Sequence, residues 1–233
     1  MNRYIDLKEV SDGKLYTSND LVKAGCGDCA GCSSSCETMA DTIILDPMDL
    51  ISLTPCLDAT AADLLSRSGV MELGVVGGVI LPHIRMDDDT GRCPFLTEAG
   101  RCSIHDSRPG FCRLFPLGRY YENRSFRYFL QVNECRRVNR TKVKVRKWIG
   151  VADFERYETF IADWHYFLKD LEEPLAGNGI QWAKQVNTLI LNEFFFRAYD
   201  ARADFYSQFY ERLEAVRETV SAYGKEYGTE QKM

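Results

Sequence analysis

The feature that most constrains this chain is a run of four cysteines within eleven residues: Cys26, Cys29, Cys32 and Cys36. The residues between them are small, so the backbone can fold tightly around a compact group. The spacing C-x2-C-x2-C-x3-C is that of the bacterial ferredoxin run, in which the fourth cysteine can reach a different cluster. Short C-x2-C turns also suit zinc. The run therefore predicts metal or cluster binding, rather than disulfides or small buried residues.

Four further cysteines are dispersed along the chain, and together the two sets could form two four-thiolate sites. By analogy with bacterial ferredoxins, the first three cysteines of the run would share one site with a distal sulfur. Cys36 would then join the remaining distal sulfurs in a second site. A single site with spare thiols stays open as an alternative. The predicted metal ligands are Cys26, Cys29, Cys32, Cys36, Cys93, Cys102, Cys112 and Cys135.

Two other residues of ligand type, Cys56 and His105, occur in the sequence. Cys56 stands in Thr-Pro-Cys-Leu, where a buried apolar role is expected. His105 follows Cys102 by three residues, so it could be a ligand, although a surface histidine or one that supports a ligand is the commoner case. Neither is included in the predicted ligand set.

The choice of metal depends on the spacing of the thiolates. A cubane needs three converging thiolates, which the repeated x2 spacing favours, whereas zinc sites more often use separated C-x2-C pairs. The distal cysteines contain no such pair. We therefore expect an iron–sulfur cluster (4Fe–4S), with zinc as the alternative. No phosphate-binding loop, dinucleotide fingerprint or nucleophile elbow is present in the sequence, so no catalytic residue is predicted and enzymatic activity stays open.

Composition and charge limit the setting in which the chain works. No apolar run approaches the roughly 20 residues that span a bilayer, and the first residues lack an apolar signal core. We expect a cytoplasmic protein, where thiols stay reduced. The net charge of −5 makes nucleic acid an unlikely partner, yet residues 119–147 contain ten basic and two acidic residues. That segment either meets an anionic partner or is a solvated face.

The expected fold class is α+β, mostly helical. A cysteine-rich metal-binding region (1–148) with short strands and a hairpin is expected to pack on a C-terminal layer of three helices (149–233). Large apolar residues recur at helical spacing from Phe154 to Leu171, and such a stripe is usually core, so no cofactor is assigned to it. Pro174 and residues 177–179, which include Gly177 and Gly179, are expected to break that helix.

Three shorter segments give sharper local predictions. Residues 17–25 are predicted to form a short helix that ends at Gly25. Asp46-Pro47 is predicted to start a helix that ends at Pro55, because the carboxylate can cap and proline suits the first turn. Residues 119–132 are predicted to form a hairpin that turns at residues 122–125.

The cysteine-bearing segments resemble a known family. They are Cys29-x2-Cys32-x2-Ser35-Cys36, Cys93-Pro-Phe-Leu, Cys102-x-Ile-His, Arg108-Pro-x2-Cys112-Arg-x-Phe-Pro116 and the later Cys135. Residues 25–136 resemble the YkgJ-type cysteine-cluster family, which is described as a zinc- or iron-chelating domain with the signature C-x2-C-x2-C-C. The resemblance implies metal chelation.

The chain departs from that signature at one place. Ser35 occupies the first position of the family's Cys-Cys doublet, while Cys26 lies one x2 step upstream. Either Cys26 supplies the missing ligand, or the site holds fewer ligands, or Ser35 stands where a cysteine has been replaced. A serine oxygen is a hard, poor substitute for a thiolate.

The leading functional hypothesis is a metal-binding protein with one or two thiolate-ligated centres that serves electron transfer, redox sensing or metal handling. Its partner would be a redox or metal-handling protein, and a homodimer is possible. The alternatives are a structural-zinc module whose basic segment binds an anionic partner, and a cluster-dependent redox or group-transfer enzyme.

Overall fold

The computed structural model describes residues 7–27, 33, 36, 37, 42–66, 69–135, 137 and 139–230, with side chains as far as residue 224. Short strands in hairpin-like pairs are combined with helices that dominate the C-terminal part, so the fold class is α+β, as predicted. The helices are α1 (Leu7–Val10), α2 (Pro47–Cys56), α3 (Ala61–Ser66), α4 (Gly110–Leu114), α5 (Val145–Ile149), α6 (Phe154–Gly177), α7 (Gly179–Leu191) and α8 (Phe205–Glu230). The strands are β1 (Leu21–Gly25), β2 (Met71–Val76), β3 (Val79–Ile84), β4 (Leu117–Glu122), β5 (Ser125–Leu130) and β6 (Thr141–Lys144).

The strands pair as β1 with β6, β2 with β3, and β4 with β5. The β4–β5 pair is the predicted hairpin, with Glu122 opposite Ser125 at its turn. The two turn residues, Asn123 and Arg124, have φ angles of +49° and +58°. Positive φ at both central positions is typical of a turn whose twist matches that of the flanking strands. This prediction is confirmed.

The prediction for residues 17–25 is wrong, because β1 occupies the place of the expected helix. Val22 and Ala24 are buried while Leu21 and Lys23 are exposed, which is the alternation of a strand. The preceding polar residues form a turn in which the Asp20 carboxylate accepts hydrogen bonds from the Thr17 N–H (2.7 Å) and hydroxyl (2.8 Å). The partner strand, β6, lies more than a hundred residues further along the chain.

The contacts divide the chain into two compact units. Unit 1 comprises Met1–Ile44 and Ile84–Asp163, and unit 2 comprises Leu45–His83 and Trp164–Met233. Unit 1 contains the predicted metal ligands that the structure describes: Cys26, Cys36, Cys93, Cys102, Cys112 and Cys135. The boundary near residue 148 stays a prediction, because a division by contacts does not test which segments fold independently.

Helix α2 of unit 2 begins as predicted. The Asp46 carboxylate accepts hydrogen bonds from the N–H groups of Met48 (2.9 Å) and Asp49 (3.1 Å), and Asp49 in turn accepts one from the Asp46 N–H. The predicted end at Pro55 is wrong by one residue, because a proline in the last turn removes little of the helical hydrogen bonding. Cys56 therefore ends the helix and is exposed, which corrects the expectation that it is buried.

The core of unit 2 is rich in aromatic residues. Trp164 contacts Phe194 with ring centroids 5.0 Å apart, and Phe209 lies 6.1 Å from the same ring. All three side chains are buried. The prediction that the stripe on α6 is core is confirmed, because its members are buried: Phe154, Tyr157, Phe160, Ile161, Trp164 and Leu171. The helix is expected to break at Pro174 and residues 177–179; α6 continues past Pro174 but ends at Gly177, so the proline part of the prediction is wrong and the glycine part is confirmed. At this end the Asn178 N–H donates to the Pro174 carbonyl at 3.0 Å.

One buried polar side chain joins α7 to the β2–β3 hairpin. Asn187 is 5% exposed. Its Oδ1 accepts from the Ile80 N–H at 2.6 Å, and its Nδ2 donates to the carbonyls of Gly78 (3.2 Å) and Ala183 (2.9 Å). Buried backbone groups outside the regular ladder need such partners.

Replacing Asn187 by leucine is expected to lower the free energy of unfolding by about 1–3 kcal/mol, because the Ile80 N–H and the Gly78 carbonyl lose the hydrogen-bond partner that the buried Asn187 side chain provides. Urea unfolding followed by circular dichroism measures the loss. The control is Asn192→Ala, which changes an exposed asparagine just beyond the same helix and should cost about 0.5 kcal/mol or less. Equal stability of the two variants would contradict the role assigned to Asn187.

Of the helices that the structure describes, none combines the length and apolar character needed to cross a bilayer.

Candidate metal centre

The candidate centre begins with a tight turn between Cys93 and Cys102. The Gly100 N–H donates to the Thr97 carbonyl at 2.9 Å, and Gly100 has a φ of +70°, a conformation that favours glycine. The turn places Cys102 opposite Leu96 in an isolated antiparallel bridge. Two predicted ligands are therefore held in one small loop.

Two apolar side chains anchor this loop. Phe95 and Ile104 are 8% and 5% exposed, and the Ser103 N–H donates to the Phe95 carbonyl at 2.8 Å. Phe111 is also a single apolar residue among residues that favour turns. It is 36% exposed, however, and does not anchor the loop. Burial of the first two residues holds the cysteine loop in unit 1.

The cysteine run is connected to this loop through the backbone. The Cys93 N–H donates to the Cys36 carbonyl at 2.8 Å. The last cysteine of the run thus lies beside the first of the dispersed cysteines, although 57 positions separate them in the sequence. This contact places Cys36 beside one of the distal cysteines; the sequence prediction groups Cys36 with three of these without specifying which.

The electrostatics of Cys93 indicate that its neighbours are close. Burial raises the pKa of the Cys93 thiol, and the charges of Cys36 and Cys102 add to that effect, to about 11. A hydrogen bond from the Phe95 N–H acts in the opposite direction. Thiolates gathered in a partly buried place repel one another, and a bound cation relieves this repulsion.

Two arginines of the family-like motif stabilise the segment between Cys102 and Cys112. Nη1 of Arg108 lies 2.9 Å from Nδ1 of His105 and 3.2 Å from the carbonyl oxygen of the same residue. Arg113 Nε donates to the Arg108 carbonyl at 3.0 Å, and its Nη2 donates to the Asp106 carbonyl. These guanidinium groups stabilise the loop by donating hydrogen bonds to its backbone carbonyls. The sequence motif contains both arginines, but their structural role was not predicted.

Cys112 lies in α4 and is half-buried. The helix is followed by Phe115, whose carbonyl accepts a hydrogen bond from Trp148 Nε1 at 3.0 Å. This bond joins the end of the cysteine-bearing segment to α5. Nothing in the local sequence indicates the Trp148 contact.

The remaining predicted ligands that the structure describes, Cys26 and Cys135, are half-buried. Cys26 follows directly after β1, and Cys135 comes five residues after the end of β5. His105 carries a contact to a guanidinium group on its ring, which favours a supporting role over ligation.

Cys29, Cys32 and Ser35 lie outside the described residues, so the full ligand set stays a prediction. The seven cysteines that the structure describes form no disulfide. Within the same described part, no group of three or more His, Cys, Asp or Glu side chains is arranged closely enough to hold a metal ion.

The described donors nevertheless fit a thiophilic metal in their chemistry. Soft thiolates select zinc and iron–sulfur clusters over hard cations. Cys36, Cys93 and Cys102 supply sulfur from two separate segments, and each side chain is half-buried. The backbone contact between Cys93 and Cys36, in the loop that also carries Cys102, is the observation that supports a shared cation at this place.

Residues 26–136 match the family model CxxCxxCC, whose description is "putative zinc- or iron-chelating domain". No curated protein and no solved structure matches the chain. The match starts at the first predicted ligand, Cys26, and ends one residue after the last, Cys135. Residues 26–136 of this chain thus match the model of a zinc- or iron-chelating domain, in agreement with the cysteine-cluster family that these segments resemble.

Proposed function

We propose that this protein is an electron carrier that holds a thiolate-ligated iron–sulfur centre of the 4Fe–4S type in unit 1. The observation that carries the proposal is the hydrogen bond from the Cys93 N–H to the Cys36 carbonyl, at the start of the loop that also carries Cys102. The spacing of the run adds support, because three thiolates separated by x2 steps suit one cubane. Redox sensing and metal handling are the related roles of the same centre.

The chain's own residues hold the centre and control its surroundings. The thiolates of Cys36, Cys93 and Cys102 would be ligands, and the buried side chains of Phe95 and Ile104 lower the local dielectric. Arg108 and Arg113 fix the ligand loop by binding its carbonyls. When bound, a 4Fe–4S cluster supplies one-electron chemistry. A fixed ligand loop changes little between redox states, which favours rapid electron exchange.

Metal and acid-labile sulfide analysis of protein purified without oxygen, together with a visible absorption spectrum, tests the proposal. We expect iron and sulfide in equal amounts, with about four of each per chain for one cluster and about eight for two. Colourless protein with stoichiometric zinc would replace the electron-transfer role by a structural one. Protein with neither metal would overturn metal binding altogether.

A further inference from the structure

The β1–β6 pair, here called the basic ribbon, presents one charged face. Leu21 lies opposite Lys144, and β1 and β6 then continue to the pair of Gly25 and Thr141 through a register shift. Side chains alternate along each strand, so Lys23 shares a face with Leu21. On β6, Lys142 shares the face of Lys144 by the same alternation. The opposite face of β1 is buried through Val22 and Ala24.

The three lysines of this face are exposed, and no described residue forms an ion pair with any of them. The sequence contains no aspartate or glutamate from residue 135 to residue 152. The whole chain nevertheless has a net charge of −5, so the basic ribbon is a local reversal of the overall charge. A concentrated field of one sign steers an oppositely charged partner towards the place where it acts.

The basic ribbon is close to the predicted centre along the chain. Lys23 precedes Cys26 by three residues, so their Cα atoms are at most about 11 Å apart. Thr141, at the start of β6, lies opposite Gly25, the residue just before Cys26. The lysine-bearing face is therefore beside the first predicted ligand.

We propose that the basic ribbon is the docking surface for an acidic protein that exchanges electrons with the thiolate centre; this inference rests on the proposed function. Leu21 is 55% exposed and provides an apolar contact among the lysines. An apolar contact surrounded by charged residues is typical of protein interfaces. Charge complementarity at such a surface acts mainly on the rate of association and on the choice of partner.

Nucleic acid fits this surface less well. Three lysines neutralise few phosphates, so the affinity for nucleic acid would depend only weakly on salt concentration and the complex would be weak at physiological salt.

In the proposed exchange, the reduced centre loses one electron and the acidic partner gains it. No bond is formed or broken, and no proton is transferred.

The first experiment measures oxidation of the dithionite-reduced protein by two one-electron oxidants in anaerobic stopped flow. One is the trianion tris(oxalato)cobaltate(III), and the other is the trication hexaamminecobalt(III). In each case cobalt(III) becomes cobalt(II) as the centre loses one electron. The net charge of the protein predicts that the trication is attracted. The basic ribbon predicts instead that the trianion rate falls steeply as salt is added, whereas the trication rate does not.

The variant replaces the three ribbon lysines: Lys23→Gln, Lys142→Gln and Lys144→Gln. The control removes three exposed positive charges from unit 2: Lys184→Gln, Arg202→Gln and Arg217→Gln. We expect the ribbon variant to lower the trianion rate about tenfold at low salt, which is the lower end of electrostatic steering. We expect the control to change it less than about twofold. Equal effects of the two variants would overturn the proposal.

A binding measurement gives a readout that does not depend on redox activity. Fluorescence anisotropy of labelled poly-glutamate, used as the acidic probe, should rise with the unmodified protein at low salt and not with the ribbon variant. Binding of a short duplex DNA that persists at physiological salt and is lost in the ribbon variant would overturn the acidic-protein partner in favour of nucleic acid. Iron and sulfide analysis of the same samples distinguishes failure of the proposed docking surface from failure of the proposed function. An intact cluster with no effect of the ribbon variant contradicts only the docking surface.

Discussion

Replacement of Cys93 by serine is expected to lower the affinity for the bound metal at least about 100-fold, since even supporting residues of metal ligands are worth 10–100-fold. Cys93 connects the cysteine run to the dispersed cysteines through its hydrogen bond to Cys36. A serine oxygen in the same position is harder and less readily ionised than a sulfur. Metal content after gel filtration, and competition with a chelator of known affinity, measure the loss.

Cys56→Ser is the matched control for this prediction. It makes the same chemical change at a cysteine that lies within the matched residues 26–136 but is exposed and belongs to unit 2. We expect its metal content to equal that of the unmodified protein. Full metal content in Cys93→Ser, or a loss of the same size in Cys56→Ser, would contradict the assignment of the centre to unit 1.

Local sequence signals predicted those parts of the fold that local forces determine. The cap at Asp46 needs only residues within one helical turn, and the β4–β5 hairpin needs only two strands and the turn between them. The aromatic stripe from Phe154 onwards needs only a helical period. Each of these predictions is confirmed because residues close in the sequence determine the conformation at these places.

The errors arise where distant residues decide the outcome. Residues 21–25 form a strand because β6 pairs with them. The helix prediction used only the local sequence of residues 17–25, which carries no information about that distant strand. The exposure of Cys56 depends on which face of α2 is packed, and the short motif around it carries no such information.

The candidate site shows the same division. Ligand type and the family resemblance could be read from spacing, because metals require particular donors at short range. The contact between Cys36 and Cys93 is long-range, and the guanidinium contacts of Arg113 join a helix to a loop carbonyl. Such contacts follow from folding of the whole unit and cannot be read from a motif.

Replacement of Arg212 by methionine is expected to lower the free energy of unfolding by about 3–5 kcal/mol, because three carbonyls lose a charged donor and a hydrogen bond to a charged group contributes about 1.5–3 kcal/mol. Arg212, on α8, is 5% exposed. Its guanidinium donates to the carbonyls of Glu193, Arg197 and Ala198, each at 2.7 Å, and its Cζ lies 3.7 Å from the ring centroid of Tyr199. The sequence pattern gave no indication of this role.

The need for this arginine comes from the way in which α7 ends. A π-helical turn, Asn192–Phe196, follows the helix and is succeeded by an irregular segment, so carbonyls in this region lack regular helical partners. One planar guanidinium can serve several carbonyls at once. Burial lowers the pKa of Arg212, but its ordinary value is so high that the group stays charged at neutral pH.

Two further variants separate the network from the loss of charge. Arg212→Lys keeps the charge but offers a compact ammonium in place of the planar fork, so we expect it to recover less than half of the lost stability. Arg202→Met removes an exposed arginine that pairs with Asp200, and should cost about 1 kcal/mol or less. Urea unfolding of the three variants checks these values. If Arg212→Met and Arg202→Met unfolded at the same urea concentration, the three carbonyl contacts would contribute little to stability, and the irregular end of α7 would need another explanation.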